Sequence, residues 1–433
     1  ASVNFGDDPT SVDYERIFYA RRPILEIAVK NFLENQSFQA DFKHFEKSNR
    51  LWLDDFAEFM AIKEHFGNQA LQKWDDKKAV ARDPSALEKY RILLAEQIQY
   101  FKVTQYFFFK QWTELKNYAN QKGIQIIGDM PIYVAADSVE VWTKPELFQL
   151  DKERNPLFVA GVPADQFSAT GQLWGNPLYD WEEHKKQGYA WWIHRIEESF
   201  KIYDVLRIDH FKGFSDYWQV DGKADIAKYG SWQPGPGYDL FKVVKEQLGD
   251  LPIIAEDLGN IDEKARKLLT DCNYPGMKIL QFGFEDVSGK SLDSPHYCIP
   301  HSIAYTGTHD NDVTNGWYNG LTTQQQQYIN DYTHRHNDES ICQAMIRQLF
   351  ATVNNTAIAT MQDILDSPAS SRMNIPSTIG GNWQWRMQKS DLTQDKKDFL
   401  AKMTTLYQRA NQEIPMIKFS TFVKNKTNKS LEQ

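Results

Sequence analysis

The chain has 433 residues, 41% hydrophobic and 25% charged, with 58 Asp and Glu against 49 Lys and Arg for a net charge of −9. This balance is ordinary for a soluble globular protein with a large core, and the length suits two or three average domains or one large (β/α) barrel with insertions. No basic patch is dense enough to follow a phosphate backbone, which argues against a nucleic-acid partner. Three cysteines at 272, 298 and 342 form no close pair; neither a disulfide framework nor a cysteine-based metal site is expected, and a reducing compartment fits. The opening residues show no basic segment followed by an apolar one, and no run approaches the about 18 apolar residues of a membrane span. A cytoplasmic location without membrane contact is the expectation.

Residues 13–122 read as helical throughout. Asp83-Pro84 is an N-cap followed by proline at the first helical position. Apolar residues then recur at helical spacing from Leu87 through Leu93, Ile98, Phe101 and Phe107 to Trp112, and Gly123 supplies a stop. From 124 onward, strands and helices alternate, the pattern of a parallel sheet. Strands are expected near 124–128, 204–208, 252–255, 278–282, 303–305 and 357–361. Residues 130–180 read as a long irregular stretch rich in Pro, Gly, Asn and aromatics; a loop of that length in a compact enzyme is usually functional. Residues 221–238 read as a surface excursion and 424–430 as a polar tail. The expected division is a helical subdomain at 1–122 around a catalytic (β/α) barrel at 123–433, with an active-site loop at 130–180.

Three of the strands end in acids: Asp204-Val-Leu-Arg-Ile-Asp209-His210, Pro252-Ile-Ile-Ala-Glu256-Asp257, and Ile303-Ala-Tyr-Thr-Gly-Thr-His309-Asp310-Asn-Asp312. Each runs apolar, as a strand buried on both faces must, then places a carboxylate where the strand opens into a loop. Acids at the C-terminal ends of parallel barrel strands can converge on one pocket. Paired carboxylates break glycosidic bonds, one as nucleophile and one as proton donor. Aromatic content of 14%, with 13 Trp and 20 Tyr, serves mostly the core, while rings beside polar loops suit stacking on sugars.

These segments, taken with Gly128-Asp-Met-Pro-Ile-Tyr-Val134, Val159-Ala-Gly-Val-Pro163, Phe167 to Tyr179, Pro275-Gly-Met-Lys278 and Gly381-Asn-Trp-Gln-Trp-Arg386, resemble the amylomaltase, or 4-α-glucanotransferase, family of the α-amylase superfamily. The resemblance implies a (β/α)8 TIM-type barrel with helical subdomain insertions. It departs in two places. The family's first two barrel strands, with their Ser-Leu-Pro-Gly loop and donor-site Tyr, have no counterpart here; they are expected upstream of Ala1, since only about six barrel strands are visible. Val313 also stands where a Thr is more usual.

The resemblance implies Asp209 as nucleophile, Glu256 as general acid/base and Asp310 as the carboxylate that binds sugar hydroxyls and helps distort the ring. Arg207, two residues before Asp209 on the same strand face, can hold that acid ionised; an ordinary strand-end ion pair explains it equally. Asp257 beside Glu256 is a local ambiguity, because strand neighbours face opposite ways and only one should enter the pocket. Asp129 is expected to contact the donor sugar or orient a catalytic group, with a loop cap as the plain alternative. His309 and His210 are expected to bind sugar. By the family match, Asp165, Gln172 and Trp174 line the acceptor side, and Asn382 and Trp383 lie near the donor site. No metal-ligand spacing accompanies the histidines, so no metal or cofactor is expected. The implied substrates are α-1,4-glucan oligosaccharides, with glucose or cyclic glucans released. An α-glucan hydrolase using the same acids, and a glucan-binding protein without turnover, are the alternatives. The geometric expectation is that Asp209, Glu256 and Asp310 meet around one scissile oxygen, the first two about 5 Å apart.

Overall fold

The protein was characterised as a computed structural model, which describes residues 3–164, 169–259 and 261–410. Ten strands occur among them: β1 Ile127–Met130, β2 Phe158–Val162, β3 Gln172–Pro177, β4 Val205–Ile208, β5 Asp216–Asp221, β6 Gly230–Pro234, β7 Ile253–Ala255, β8 Gly276–Ile279, β9 Ser302–Tyr305 and β10 Thr356–Ile358. Six form the parallel arrangement. Strand β4 lies between β1 and β7, and β9 lies between β8 and β10. The two halves meet where Ala255 N–H donates to the Pro275 carbonyl at 3.0 Å and Met277 N–H donates to the Asp257 carboxylate at 2.6 Å. The strand interiors are dense with branched and aliphatic side chains, Leu206, Ile208, Ile253, Ile254, Ile279 and Ile303 among them, all buried. Helices such as Ala190–Ile202 and Tyr238–Leu248 connect successive strands and cover them. This is the expected barrel-type architecture.

Residues 14–121 form a helical layer. Asp83 caps the helix Pro84–Leu93 by accepting from Ser85 N and Ala86 N. The periodic stretch from Leu87 to Trp112 is two helices, because the chain breaks at Leu94 (φ −114°) before the 27-residue helix Ala95–Gln121. The apolar period runs across the break without a phase signal, so pattern alone could not show it. The long helix buries Tyr100, Phe101, Val103 and Tyr106; Tyr106 packs on Phe32 and Phe42, and Phe101 on Phe56. Gly123, at φ +75°, turns the chain out of the helix. Strand β1 then begins three residues later than expected: Ile126 N–H goes first to the Asp204 carboxylate (2.8 Å), and Ile124 stays exposed.

Two further differences concern loops. Residues 130–180 are not irregular throughout: β2 and β3 lie within them and join β5 and β6 in a four-stranded antiparallel sheet of order β3-β2-β5-β6. The excursion at 221–238 likewise contains β6. The central pairing joins 158–161 to 218–221, partners too distant in sequence for a hairpin signal, and β3 reads as a loop because Gly175, Asn176 and Pro177 are poor strand formers. Close backbone approach requires Gly161, where a Cβ would lie 2.5 Å from the Gln172 carbonyl. Strand β8, expected at 278–282, spans Gly276–Ile279 instead, and the helix Leu280–Glu285 begins where the strand was expected to continue. Among the described residues, no helix is long and apolar enough to cross a membrane.

Gly128 sets the spacing between β1 and the residues entering β4: a Cβ there would lie 2.1 Å from the Tyr203 ring. Gly128→Ala is therefore expected to destabilise the fold by about 1–3 kcal/mol through overpacking, read as a lowered thermal midpoint. A midpoint equal to the wild type would mean that Tyr203 moves aside without cost.

Candidate active site

The site begins with a buried cation. Arg207 lies on β4 directly opposite Asp129 on β1, and its side chain is 9% exposed. Its Nη1 donates to Asp129 Oδ1 and Oδ2 at 2.7 and 2.6 Å and lies 3.1 Å from Asp209 Oδ1, while Nε reaches Met277 Sδ on β8 at 3.4 Å. Burial disfavours the charged guanidinium, yet the flanking carboxylates outweigh it and raise its pKa. Asp209 feels opposing effects. Burial raises its pKa, Arg207 pulls it back, and Asp129 and Asp310 push it up, with a net rise.

Glu256 follows β7 directly. Its Oε2 accepts from His210 N–H and its Oε1 from Leu258 N–H, both at 2.7 Å. His210, which supplies the first of these amides, itself sits in the left-handed region at φ +49°. The two amides favour the ionised carboxylate, as does Arg207, but burial and the nearby Asp209 charge win and lift the Glu256 pKa to about 7. Asp257 points the other way, its Oδ1 accepting from Met277 N at 2.6 Å. Gly276 leaves room for it, since a Cβ there would meet the carboxylate at 2.3 Å. Of the two adjacent acids, Glu256 enters the cleft and Asp257 joins β7 to β8.

Asp310 lies in the turn after β9. Asn374 Nδ2 donates to its Oδ1 at 2.7 Å, and His309 Nε2 lies 3.4 Å from its Oδ2. Asp209, Glu256 and Asp310 all line one cleft of about 940 Å³, together with Arg207, His210, Gln172 and Trp174. The Trp174 ring meets His210 edge-on at 4.8 Å between centroids, and Trp174 Nε1 donates to Gln172 Oε1 at 3.2 Å. Burial holds the His210 imidazole neutral, its pKa lowered to about 4.

The remaining expected residues stand at one remove. Asp129 reaches the cleft through Arg207. His309 packs on the Trp383 ring at 5.2 Å. Asn382 accepts from Ile375 N at 3.0 Å and so braces the loop that walls the cleft. Asp165 lies outside the described residues. Sequence reasoning missed Tyr133, Leu258, Phe282, Asn311 and the segment Pro376–Ile379, all of which line the cleft, as well as Arg372 and Asn374. Tyr133, Leu258 and Asn311 sat inside motifs already singled out; the others carried no local signal. Among the described residues, no three His, Cys, Asp or Glu side chains come together in a way that could hold a metal ion.

An acid protonated near neutrality, facing a second acid beside a guanidinium in a cleft walled by aromatics, is equipped for glycosyl transfer through a covalent intermediate. The 4-alpha-glucanotransferase family profile matches residues 3–393. The 4-alpha-glucanotransferase of Streptococcus pneumoniae is 51% identical over 417 residues, covering 96% of this chain and 82% of that protein. The Clostridium butyricum enzyme of the same name is 42% identical over 410 residues, covering 94% and 83%. The amylomaltase of Streptococcus agalactiae, solved in complex with acarbose, superposes with a TM-score of 0.93 at 58% identity, covering 95% of this chain and 83% of that one. The chain belongs to the 4-alpha-glucanotransferase family.

Proposed function

We propose that this chain moves 4-α-glucan segments between maltooligosaccharides by a double displacement in which Asp209 is the nucleophile, Glu256 the acid and then the base, and Asp310 the carboxylate that grips the sugar beside the bond being cleaved. The observation that carries the reading is the split between two acids in one cleft: Asp209 has a guanidinium at 3.1 Å, whereas the Glu256 pKa is lifted to about 7.

In the first half-reaction Glu256 gives its proton to the glycosidic oxygen while Asp209 attacks the anomeric carbon; the C–O bond to the leaving chain breaks and an ester to Asp209 forms. Ester formation removes the negative charge on Asp209. That charge is one cause of the raised Glu256 pKa, so its loss lowers the pKa and prepares Glu256 to act as a base. An incoming sugar hydroxyl then loses its proton to Glu256 and displaces Asp209. Asp129 keeps Arg207 in place throughout, neutral His210 meets sugar hydroxyls in the cleft, and His309 acts beside Asp310.

Water competes with the acceptor for the ester. Transfer prevails when the acceptor is held and water is kept out, and positioning of this kind is worth several kcal/mol. Trp174 and Gln172 on β3, with Tyr133 and Pro376–Ile379, supply the walls. The glucan substrates, the acceptor role of Trp174 and Gln172, and the donor-side role of Trp383 and Asn382 belong to this reading, as does the division into helical subdomain and catalytic barrel.

Incubation with maltotriose is expected to yield glucose and a ladder of longer oligosaccharides. Shorter sugars alone would indicate hydrolysis, and unchanged trimer with measurable binding would indicate a non-catalytic protein. Asp209→Asn is expected to lower kcat more than about a thousandfold and Glu256→Gln by about 10²–10⁴, with folding intact; retained turnover in either would mean a misassigned role. In the wild type, kcat/KM is expected to fall above about pH 7, as Glu256 loses the proton it must donate.

Stability is linked to the same proton. Glu256 titrates at 4.5 when unperturbed and at about 7 when folded, so between those values the folded chain holds the extra proton and stability declines as pH rises. Glu256→Gln removes this slope. Its thermal midpoint relative to the wild type is expected to climb from about pH 5 to about pH 7 and then level off; a difference independent of pH would contradict the raised pKa.

A further inference from the structure

We infer that Asn374, held in place by Arg372, is a positioning residue for Asp310 and couples the loop wall of the cleft to the orientation of that carboxylate. The inference rests on the reading of Asp310 as the sugar-gripping acid.

The turn bearing Asp310 is tied to itself on one side only. Thr308 donates from both N and Oγ1 to Asn311 Oδ1 at 2.8 Å, and Asp310 N donates to Thr308 Oγ1 at 3.3 Å. None of these bonds fixes the Asp310 side chain, which is 44% exposed. The constraint comes from residues more than sixty positions later. Arg372 Nη2 donates to the Asp310 carbonyl at 2.7 Å, and Arg372 Nε donates to the Asn374 carbonyl at 2.9 Å. One guanidinium thus sets the distance between two backbones. From that fixed point Asn374 Nδ2 donates to Asp310 Oδ1 at 2.7 Å. Oδ1 is occupied by the amide, and Oδ2, beside His309, is left for a sugar hydroxyl. A charge-assisted hydrogen bond on one oxygen is an effective way to fix the plane of a carboxylate.

The same segment walls the cleft. Trp383 N donates to the Met373 carbonyl at 2.7 Å, Ile375 N donates to Asn382 Oδ1 at 3.0 Å, and Asn382 Nδ2 donates to Thr378 Oγ1 at 3.0 Å, closing a braced loop over 373–383. Its inner residues, Pro376–Ile379, line the cleft, and Trp383 lies on His309. Pressure of a bound chain on this wall is transmitted through Asn374 and Trp383 to both groups of the His309–Asp310 pair.

The residue type carries the argument further. Asn supplies a donor without adding charge to a site that already holds Asp129, Asp209, Glu256 and Asp310. A carboxylate of the same shape would present a like charge at hydrogen-bond distance from Asp310. One of the two acids would then have to bind a proton before the contact re-formed, which low pH favours.

The test uses the full chain with maltotriose, reading kcat and KM from about pH 5 to about pH 8 alongside thermal unfolding for Asn374→Ala, Asn374→Asp and Asp310→Asn. Asn374→Ala is expected to lower kcat by about ten- to a hundredfold with KM changed less than about threefold. Asn374→Asp, nearly isosteric, is expected to lose more at pH 8 and to regain activity relative to the wild type as pH falls; it decides the question if the alanine variant does not fold. Wild-type kcat in Asn374→Ala, or a pH-independent ratio for Asn374→Asp, would overturn the inference. If those results came with an inactive Asp310→Asn, only the inference would fail; wild-type turnover in Asp310→Asn would remove the reading of Asp310 itself.

Discussion

A guanidinium inside a barrel is costly to bury and more costly to leave alone. Arg207 is nearly enclosed, and its neighbours come from three strands: Asp129 from β1, Asp209 at the end of β4 and Met277 from β8. Removing one partner of a buried ion pair leaves an uncompensated charge, typically at a cost of about 3–5 kcal/mol. The register that sets Asp129 opposite Arg207 is thus supported by electrostatics as well as by the apolar strand interiors. The same cation counteracts, at Asp209, part of the rise in pKa that burial and the neighbouring carboxylates cause.

The difference between Asp209 and Glu256 arises from placement, since both are carboxylates at strand ends in one cleft. Asp209 has the guanidinium as its nearest partner, whereas Glu256 has two amide donors and greater burial. Backbone geometry is part of this arrangement. His210, in the left-handed region, supplies one of those amides, and the neutral imidazole it carries meets the edge of Trp174. The strand that ends in Asp209, the Glu256 carboxylate and the Trp174 wall therefore meet at a single residue.

Much of this was legible in the residues themselves. Alternation of apolar runs and acids located all six parallel strands to within a few positions, because a strand buried on both faces has a strong local pattern. The pattern failed where structure depends on distant partners. The antiparallel sheet pairs β2 with β5, residues about sixty apart, and its strand β3 contains Gly, Asn and Pro, so it read as loop. The choice between Glu256 and Asp257 needed β8, whose Met277 amide and Gly276 gap receive the second acid. Arg372 and Asn374 carried no signal at all. A polar pair in a turn becomes informative only when the fold brings it against Asp310.

The central claim is that two acids made unlike by their surroundings divide the reaction, with Asp209 forming the bond to sugar. The most direct measurement is mass spectrometry of the Glu256→Gln variant after reaction with α-maltosyl fluoride, a donor whose leaving group needs no proton and whose ester would persist without a general base. The account predicts a maltosyl adduct on the peptide containing Asp209. An adduct on any other residue, or fluoride release at the wild-type rate with no adduct formed, would contradict it.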